Sequence, residues 1–389
     1  MKPSAVRLKF ICRLGYGDPL PKDDDTAGDI PAFGSNGQYA TTSERNTGVP
    51  AIVVGRKGSY GKVNWAPTGC FASDTTFFVD NRLTASSLRW LYWALQTLKL
   101  DQGSQEAAVP GLNRDAVYEQ RVLWPTIHGQ KAIADYLDLE IARIDSLIAE
   151  KEHMLALLEE KRVALISRFV TRGINHDASI KPSGQEWLGA IPEHWPVKRA
   201  KNLFSVRDER SDDGSEELLT VSHLTGVTPR SEKDVYMFQA DDKAGYKRCL
   251  PGDLAINTLW AWMGAMGVSP LEGIVSPDYH VYTSKGQLLP EYIDLLCRSR
   301  PFVAEVSRWS KGVWSSRLRL YPENFFEMRL PVPPHEEQRA IVQAIEIDQR
   351  KASKLRDALH QSITLAKERR AALITAAVTG KIPLEVIQP

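Results

Sequence analysis

The sequence predicts a mixed α/β fold with a pseudo-two-fold tandem repeat, in which two globular heads are separated by a long antiparallel two-helix coiled coil. Three observations support this prediction. One segment of the chain recurs without gaps. Both copies of that segment have coiled-coil spacing and no interior helix breaker, and the remaining sequence consists largely of short apolar runs bounded by glycine and proline.

The internal repeat determines the predicted architecture. Residues 125–174 align with residues 333–382 at a constant offset of 208, and 14 of the 50 aligned positions are identical. Solenoid proteins repeat roughly every 20–50 residues, so an offset of this length excludes a solenoid. We therefore predict two tandem copies of one plan, each consisting of a head followed by a long helix.

Each repeated segment is predicted to form one long helix, over residues 126–174 and 334–382. Both segments lack proline and glycine in their interiors, and Gly173 and Gly380 follow as helix stops. A helix of about 40 residues is roughly 60 Å long, which exceeds the width of a domain of this size. We therefore favour pairing of the two helices over the alternative, in which each helix packs only on its own head.

Residues at alternating steps of four and three follow the spacing of a coiled-coil seam in both predicted helices. Eight of the ten seam positions in the first helix are apolar: Leu137, Ile141, Ile144, Ile148, Lys151, Leu155, Leu158, Arg162, Leu165 and Phe169. Seven of the ten in the second are apolar, and three are alanine: Ile345, Gln349, Ala352, Arg356, Leu359, Ile363, Ala366, Arg370, Leu373 and Ala377. Small alanines opposite large leucines would let two helices approach closely.

The two predicted heads, residues 1–125 and 183–333, resemble each other much less than the helices do. Apolar runs such as residues 51–54 and 254–256 predict strands, and residues 88–100 predict a short helix, so both heads are expected to be mixed α/β domains. Similar helices with divergent heads indicate a shared partner for the helices and different targets for the heads.

Composition and charge exclude several classes of protein. The hydrophobic fraction of 43% and the charged fraction of 25% are ordinary for a globular chain. No apolar run is long enough for a membrane span, the first residues lack a secretion signal, and four widely separated cysteines are expected to be reduced thiols. With 49 Lys and Arg against 48 Asp and Glu, the chain would bind nucleic acid through local patches and not through bulk charge.

The sequence contains none of the common catalytic motifs. A phosphate-binding GxxxxGK[ST] loop, a GxSxG elbow, an HExxH motif and the zinc-deaminase signature are all absent. The eight histidines are scattered without metal-ligand spacing. We therefore predict no catalytic residue, no metal site and no cofactor bound by this chain itself.

Two clusters of basic, aromatic and hydroxyl residues are the candidate nucleic-acid contacts. In the first head they are Arg56, Lys57, Ser59, Tyr60 and Lys62, which surround two glycines. In the second head they are Lys311, Trp314, Ser315, Arg317 and Arg319. Arginine, lysine and hydroxyl groups on loops are the usual phosphate contacts, and arginine can also recognise guanine through a bidentate contact.

Each cluster also has a plainer interpretation. A run of basic residues is most often a solvated surface, and the neighbouring tyrosine and tryptophan are what favour nucleic-acid binding here. Trp260 and Trp262 lie near a glycine-rich stretch of the second head, and the sequence leaves open whether they belong to the core or to the contact surface.

Three segments resemble the specificity (S) subunits of type I restriction–modification systems. Residues 186–198, Glu-Trp-Leu-Gly-Ala-Ile-Pro-Glu-His-Trp-Pro-Val-Lys, resemble the start of a target-recognition domain in that family. Residues 331–342, Pro-Val-Pro-Pro-His-Glu-Glu-Gln-Arg-Ala-Ile-Val, resemble the start of its conserved helix. The helix end at residues 160–171 is echoed at 368–379. The first head departs from the pattern, because it lacks the tryptophan-rich start.

The resemblance implies a non-catalytic subunit of a type I restriction and adenine-methyltransferase complex. Each head would be a target-recognition domain that reads one half of a bipartite double-stranded DNA target, and the paired helices would set the unread gap. Two methyltransferase subunits would dock on the chain and methylate an adenine in each half-site. Two restriction subunits would add translocation and cleavage. S-adenosylmethionine, ATP and Mg would belong to those partners, and the complex would work in the bacterial or archaeal cytoplasm.

Other classes of protein remain open from the residues alone. A coiled-coil scaffold or interaction protein could have the same helices without binding DNA directly. An enzyme would need an active site that none of the known motifs reveals. A stand-alone DNA binder is a further alternative, although the near-neutral charge suggests that partner subunits supply much of the phosphate contact.

Overall fold

The computed structural model describes residues 5–20, 28–102, 111–233, 242–312 and 318–387. Its chain forms two compact units: residues 1–152 with 360–389 make unit 1, and residues 153–359 make unit 2. Each unit contains one head and one section of each long helix. The predicted domain limits, residues 1–125, 126–174, 183–333 and 334–382, stay predictions.

The first head, in unit 1, consists of short strands and short helices. Its strands are β1 (Ala5–Arg7), β2 (Gly15–Tyr16), β3 (Ile30–Gly34), β4 (Gly37–Thr42), β5 (Ala51–Gly55), β6 (Val63–Ala66), β7 (Phe71–Ala72), β8 (Thr76–Asp80) and β9 (Arg121–Leu123). Its helices are α1 (Leu88–Gln96) and α2 (Arg114–Glu119), and the long helix α3 (Ile127–Arg172) follows.

An antiparallel sheet in the order β2-β8-β5-β6 forms the centre of the first head. Strand β5 is buried along its whole length, with Ile52 and Val53 fully enclosed, because apolar residues occupy both of its faces. Helix α1 packs on β5 and β6 and buries Trp90 and Leu91. The connection between β5 and β6 is therefore held at both ends by the core.

The second head lies in unit 2. Its strands are β10 (Ile180–Pro182), β11 (Ala190–Pro192), β12 (Val197–Arg199), β13 (Phe204–Val206), β14 (Leu219–Ser222), β15 (Gly226–Pro229), β16 (Lys247–Cys249), β17 (Leu254–Asn257), β18 (Met266–Val268), β19 (Gly273–Val275), β20 (Tyr279–Ser284) and β21 (Arg329–Pro331). Its helices are α4 (Pro290–Arg298), α5 (Arg300–Trp309) and α6 (Pro322–Glu327), and the long helix α7 (His335–Val378) and the short α8 (Leu384–Ile387) follow.

The second head has the same sheet plan as the first. Its central antiparallel sheet has the order β13-β20-β17-β18, which corresponds strand by strand to β2-β8-β5-β6. In both heads a strand near the start pairs with the strand before the long helix, as β1 with β9 and as β12 with β21. Beside these pairs, the Leu8 amide donates to Gln120 at 2.9 Å and the Ala200 amide to Met328 at 2.8 Å.

Proline residues precede the first turns of the long helices, and glycine residues follow their last turns. Helix α3 begins two residues after Pro125, and α7 begins directly after Pro334. Gly173 and Gly380, with φ of +71° and +69°, adopt the left-handed conformation that ends helices. Among the helices of the described residues, none combines the length and apolar character needed to cross a bilayer.

The two long helices pack against each other in an antiparallel direction within each unit. In unit 1, Arg370 Nε lies 2.8 Å from Asp145 Oδ1, and Lys367 Nζ lies 3.3 Å from Glu152 Oε1. In unit 2, Lys161 Nζ lies 2.7 Å from Asp348 Oδ1. Exposed ion pairs contribute little stability, so the apolar seam supplies most of the attraction.

Most apolar seam positions are buried, as the heptad spacing predicts. In unit 1, α3 buries Leu137 and Ile141 while α7 buries Ile363 and Ala377. In unit 2, α7 buries the seam residue Ile345, whereas α3 buries Ile166 and Val170, the residues next to the predicted seam positions Leu165 and Phe169, in one core with the second head. The predicted fold class, mixed α/β with two packed long helices, is confirmed. The alternative in which each helix packs only on its own head is wrong.

Gln130 and Gln338, an identical pair at the offset of 208, make the same hydrogen bonds in the two units. The side-chain oxygen of Gln130 accepts from the Ser87 amide at 2.8 Å, and that of Gln338 accepts from the Leu289 amide at 2.7 Å. Their side-chain nitrogens donate to the carbonyls of Pro125 and Pro333. Each glutamine thus ties the start of a long helix to the start of the helix that covers the sheet.

Two of the segments that carried the family resemblance contact each other in unit 2. Trp195 is fully buried, and its Nε1 donates to Glu337 Oε2 at 2.9 Å, while His194 also bonds Glu337. A Cβ on Gly173 would lie 3.2 Å from the Trp195 ring, so the helix stop lies directly against this side chain. The tryptophan-rich segment therefore locks the end of α3 to the start of α7.

Candidate nucleic-acid interface

All five predicted contact residues of the first head lie on one turn. This turn, residues 56–62 between β5 and β6, is named the basic turn. Its ends are closed by hydrogen bonds from the Gly55 amide to Lys62 O and from the Gly61 amide to Gly55 O, each 2.9 Å. Gly58 and Gly61 have φ of +70° and +81°, which requires glycine in practice. The structure therefore brings Arg56, Lys57, Ser59, Tyr60 and Lys62 together.

A second turn lies beside the basic turn. Ser35 and Asn36 connect β3 to β4, and the Asn36 side chain accepts a hydrogen bond from Lys62 Nζ. The Ser35 hydroxyl donates to Thr75 O at 2.6 Å, which holds this turn against the start of β8. The first head thus presents two adjacent polar turns with lysine and asparagine at their surface.

Arg56 belongs to a cluster with Tyr16 and Arg114 that the sequence did not reveal. Its Nη2 donates to Asp74 O at 2.8 Å, and its guanidinium lies 5.1 Å from the centre of the Tyr16 ring. Arg114, at the start of α2, lies at the same distance from the same ring. Residues 16, 56 and 114 are far apart in the chain, and only the pairing of β2 with β8 brings them together.

In the second head, the structure describes two of the five predicted residues. Lys311 and Arg319 are exposed and exchange backbone hydrogen bonds of 2.9 Å in both directions. Trp314, Ser315 and Arg317 lie outside the described residues.

The two predicted contact sets do not occupy corresponding places in their heads, because residues 56–62 connect β5 to β6 while residues 311–319 precede α6. The Leu112 amide donates to Arg56 O at 2.8 Å in the first head, and the Leu320 amide donates to Thr258 O at 3.3 Å in the second. Leu112 and Leu320 are related by the same offset of 208. Each leucine therefore contacts the turn between the matching strands, β5 and β6 in the first head and β17 and β18 in the second, so residues 258–265 are the counterpart of the basic turn.

That turn of the second head, named the aromatic turn, answers the question left open for its tryptophans. Trp260 is 48% exposed, and Trp262 is half-buried with its Nε1 bonded to Leu259 O at 3.0 Å. The two rings stack with centres 6.2 Å apart. Trp260 is therefore a surface residue and not a core residue. An apolar Trp-Ala-Trp-Met-Gly run between two short strands was the signal available in the sequence.

The neighbouring turn of the second head is apolar as well. Leu224, between β14 and β15, is 76% exposed, and Met263 on the aromatic turn is also exposed. Leu224 and Met263 border an open cavity of about 1320 Å³ within unit 2, to which Arg162 of α3 and Gln349 of α7 also contribute. The second head thus shows large apolar groups where the first head shows lysine and asparagine.

Lys247 and His280 form a buried titratable pair in the second head. Lys247 Nζ donates to Tyr279 O at 2.5 Å and lies 3.5 Å from His280 Nδ1. Burial, together with the positive charge of Lys247, lowers the pKa of His280 to about 4. Such shifts are common at active sites, but the ammonium group here bonds a backbone carbonyl next to the sheet. We interpret the pair as structural.

Acidification from about pH 6.5 toward about 4 is expected to destabilise the protein through His280. In this range the unfolded chain binds a proton at this residue while the folded chain does not, so the free energy of unfolding falls as the pH falls. Urea denaturation at several pH values measures this. The His280→Gln variant should lose stability less steeply over the same range, and identical slopes for both proteins would contradict the assignment.

This chain belongs to the structural class of two-headed proteins with long paired helices. Its two α/β heads have the same sheet order, and each is joined to sections of two antiparallel long helices. No protein-family model matches it. The specificity subunit of the type I restriction enzyme EcoDI from Escherichia coli is 20% identical over 366 aligned residues, which cover 88% of this chain and 80% of that subunit.

Two solved structures from type I restriction–modification systems have a fold similar to that of this chain. A chain from a structure describing complex assembly and conformational transition of the type I restriction–modification system has a TM-score of 0.69 at 14% identity, with 98% of both chains covered. The HsdS subunit from Thermoanaerobacter tengcongensis has a TM-score of 0.52 at 14% identity, with 97% of both chains covered. The resemblance to type I specificity subunits is confirmed, and the chain has their fold.

Proposed function

We propose that this chain is a DNA specificity subunit of a type I restriction–modification complex and has no catalytic role of its own. The observation that carries this proposal is the contrast between the two heads. They share one sheet order, yet they present a basic turn and an aromatic turn at the same position of that sheet. One scaffold with two different contact surfaces is what reading two different half-sites requires.

The similarity to known proteins supports the same function. The curated relative is named as the specificity subunit of a restriction enzyme, and its aligned region covers 88% of this chain. A scaffold without DNA contact is less favoured, because nothing in that role would require exposed lysine, arginine and tryptophan on turns anchored by buried strands. An enzyme is less favoured because His280, whose pKa is lowered, lies beside Lys247, and Lys247 bonds a backbone carbonyl next to the sheet, which we interpret as a structural role.

The proposed recognition divides contacts between DNA backbone and bases. Lys57 and Lys62 of the basic turn, and Lys311 and Arg319 of the second head, are exposed and suit the neutralisation of phosphates. Polar side chains such as Asn36 can pair with base edges in the major groove. Trp260 can contribute apolar contact or stacking. Each good bidentate pair would contribute about 1–3 kcal/mol of discrimination between bases.

The long helices are proposed to set the gap between half-sites and to carry the partner subunits. Both helices run without a break, as α3 over Ile127–Arg172 and α7 over His335–Val378. Their duplicated sequence would offer one docking surface to each of two methyltransferase subunits. S-adenosylmethionine, ATP and Mg are proposed to be bound by the methyltransferase and restriction subunits, in the cytoplasm where the DNA lies.

Methylation mapping tests the proposed function. The chain is co-expressed with the adenine methyltransferase encoded beside it in a methylation-free host, and modified adenines are mapped by single-molecule sequencing. We expect one bipartite motif with a fixed gap, and no such motif when the methyltransferase is expressed without this chain. Equal methylation with and without the chain would contradict the proposal.

A variant of one head sharpens this experiment. Trp260→Ala is expected to weaken or relax recognition at one half-site only, because Trp260 projects from the second head. Leu271→Ala, which shortens another exposed apolar side chain of the second head outside the aromatic turn, serves as the matched control. Relaxation at both half-sites, or at neither, would contradict the assignment of the aromatic turn.

A further inference from the structure

We propose that Tyr16, Arg56 and Arg114 form a phosphate clamp, in which the two arginines hold one backbone phosphate of the DNA that the first head recognises. This inference rests on the proposed function and adds to it a specific contact that fixes the register of the first head. Of the three residues, only Arg56 belongs to the contact set predicted from the sequence.

The Tyr16 ring contacts two guanidinium groups. The guanidinium groups of Arg56 and Arg114 each lie 5.1 Å from its centre, so they are no more than twice that distance apart. The ring itself is fixed by an edge contact with Phe77, with centres 5.1 Å apart. Tyr16 is 49% exposed, so the clamp opens to solvent.

The positive charge of the clamp is not neutralised within the described chain. Neither Arg56 nor Arg114 forms an ion pair with a carboxylate among residues that the structure describes, and the buried Nε of each has no hydrogen-bond partner there. Other arginines of the first head do find carboxylates, as Arg89 does with Asp138 at 2.8 Å. Two cations that contact one ring without a counter-charge favour the binding of an anion beside them.

The geometry favours a phosphate over a base. Bidentate recognition of guanine needs two free N–H donors on one edge of the guanidinium. Arg56 already donates its Nη2 to Asp74 O at 2.8 Å. Arg114 lies between two rings, since its guanidinium is also 5.9 Å from the centre of Tyr118. One charge-assisted hydrogen bond from each arginine to the two free oxygens of a single phosphate matches this arrangement.

Among the residues of the second head that the structure describes, no equivalent clamp is present. Thr258 holds the place of Arg56, as the matching hydrogen bonds of Leu112 and Leu320 show. Pro322 holds the place of Arg114, because it starts α6 as Arg114 starts α2 and the two differ by the offset of 208. The clamp therefore belongs to the first head, and its removal should leave the contacts of the second head unchanged.

The test measures DNA affinity of the full complex assembled with its methyltransferase subunits. Two duplexes serve as probes: the target found by methylation mapping and a random-sequence duplex of equal length. Dissociation constants are measured between about 50 and 200 mM salt. Arg114→Ala and Arg56→Ala are each expected to weaken binding to both duplexes by a similar factor, about three- to tenfold, and to reduce the slope of log K against log salt by about one.

Conservative variants separate the clamp from a folding defect. Arg114→Lys keeps the charge and should retain the salt slope with at most about a twofold loss of affinity. Tyr16→Phe keeps the ring that positions both arginines and should behave like the unchanged protein, whereas Tyr16→Leu should weaken binding to both duplexes. Arg45→Ala, an exposed arginine of the same head outside the clamp, is the matched control and should change neither quantity.

Each outcome decides the proposal. A loss confined to the target duplex would mean that the arginines contact bases, and it would overturn the phosphate clamp. Unchanged affinity and slope in both alanine variants would also overturn it, while the proposed function would stand. Failure of the unchanged complex to prefer its target over random sequence would instead overturn the proposed function.

Discussion

Lengthening both long helices by one heptad is expected to widen the unread gap of the DNA target by about three base pairs and to leave both half-sites unchanged. Seven added residues extend a helix by roughly 10 Å, and base pairs are spaced about 3.4 Å apart. The insertions belong after Glu152 and after Leu359, where the chain passes between its two units. A whole heptad preserves the seam, so the helices can still pair. Methylation mapping of the variant measures the gap.

The matched control places the same heptad in α3 alone. This shifts one helix against the other, so Asp145 can no longer face Arg370 while Lys161 faces Asp348. The single insertion should therefore lower both complex stability and methylation, whereas the double insertion should preserve them. Altered half-sites with an unaltered gap would contradict the proposed role of the helices.

Trp195→Ala is expected to destabilise the protein by about 3–5 kcal/mol, the range for removing a large buried aromatic side chain. Trp195 is fully buried in the core that joins the second head to both long helices, and its Nε1 bonds Glu337. Its removal leaves a cavity beside Gly173 and leaves Glu337 Oε2 without its tryptophan donor. Urea denaturation followed by circular dichroism measures the free energy of unfolding.

Two milder variants divide this effect into its parts. Trp195→Phe retains most of the buried ring but loses the hydrogen bond, so it should cost less than the alanine variant. Glu337→Gln keeps an acceptor oxygen for Trp195 and should cost about 1 kcal/mol. A loss below about 1 kcal/mol for Trp195→Ala would show that this segment does not hold the helices.

The long helices could be predicted closely because their signals are local. Periodic leucine and isoleucine, proline before the start and glycine after the end all act within a few residues of the feature that they determine. The predicted segment 126–174 contains α3, which runs from Ile127 to Arg172. Pairing followed from the same pattern, since a seam of this length needs a partner to bury it.

The contact surface was only partly predictable. The five predicted residues of the basic turn all lie between residues 56 and 62, so charge and glycine in the sequence were sufficient to group them. Tyr16 and Arg114 join Arg56 only because β2 pairs with β8 and α2 follows the loop beside the turn. No local pattern in the sequence reports such a contact between distant residues.

The exposure of the aromatic turn could not be predicted from the sequence for a different reason. Tryptophan is buried more often than exposed, so composition alone could not decide between core and surface for Trp260. The deciding factor is its position at the end of β17, beyond the last buried residue of that strand. The sequence also placed the second contact set at Lys311, Trp314, Ser315, Arg317 and Arg319. This set ends one residue before Leu320, which contacts the aromatic turn, and does not include the turn itself.

The paired glutamines have an evolutionary consequence. Gln130 and Gln338 attach each head to its helix through backbone amides and carbonyls only. Because these hydrogen bonds use only backbone groups of the head, the attachment does not depend on the side chains elsewhere in that head. Under the proposed function, recombination that replaces one head with another of the same sheet plan would change the target and leave the partner subunits unchanged.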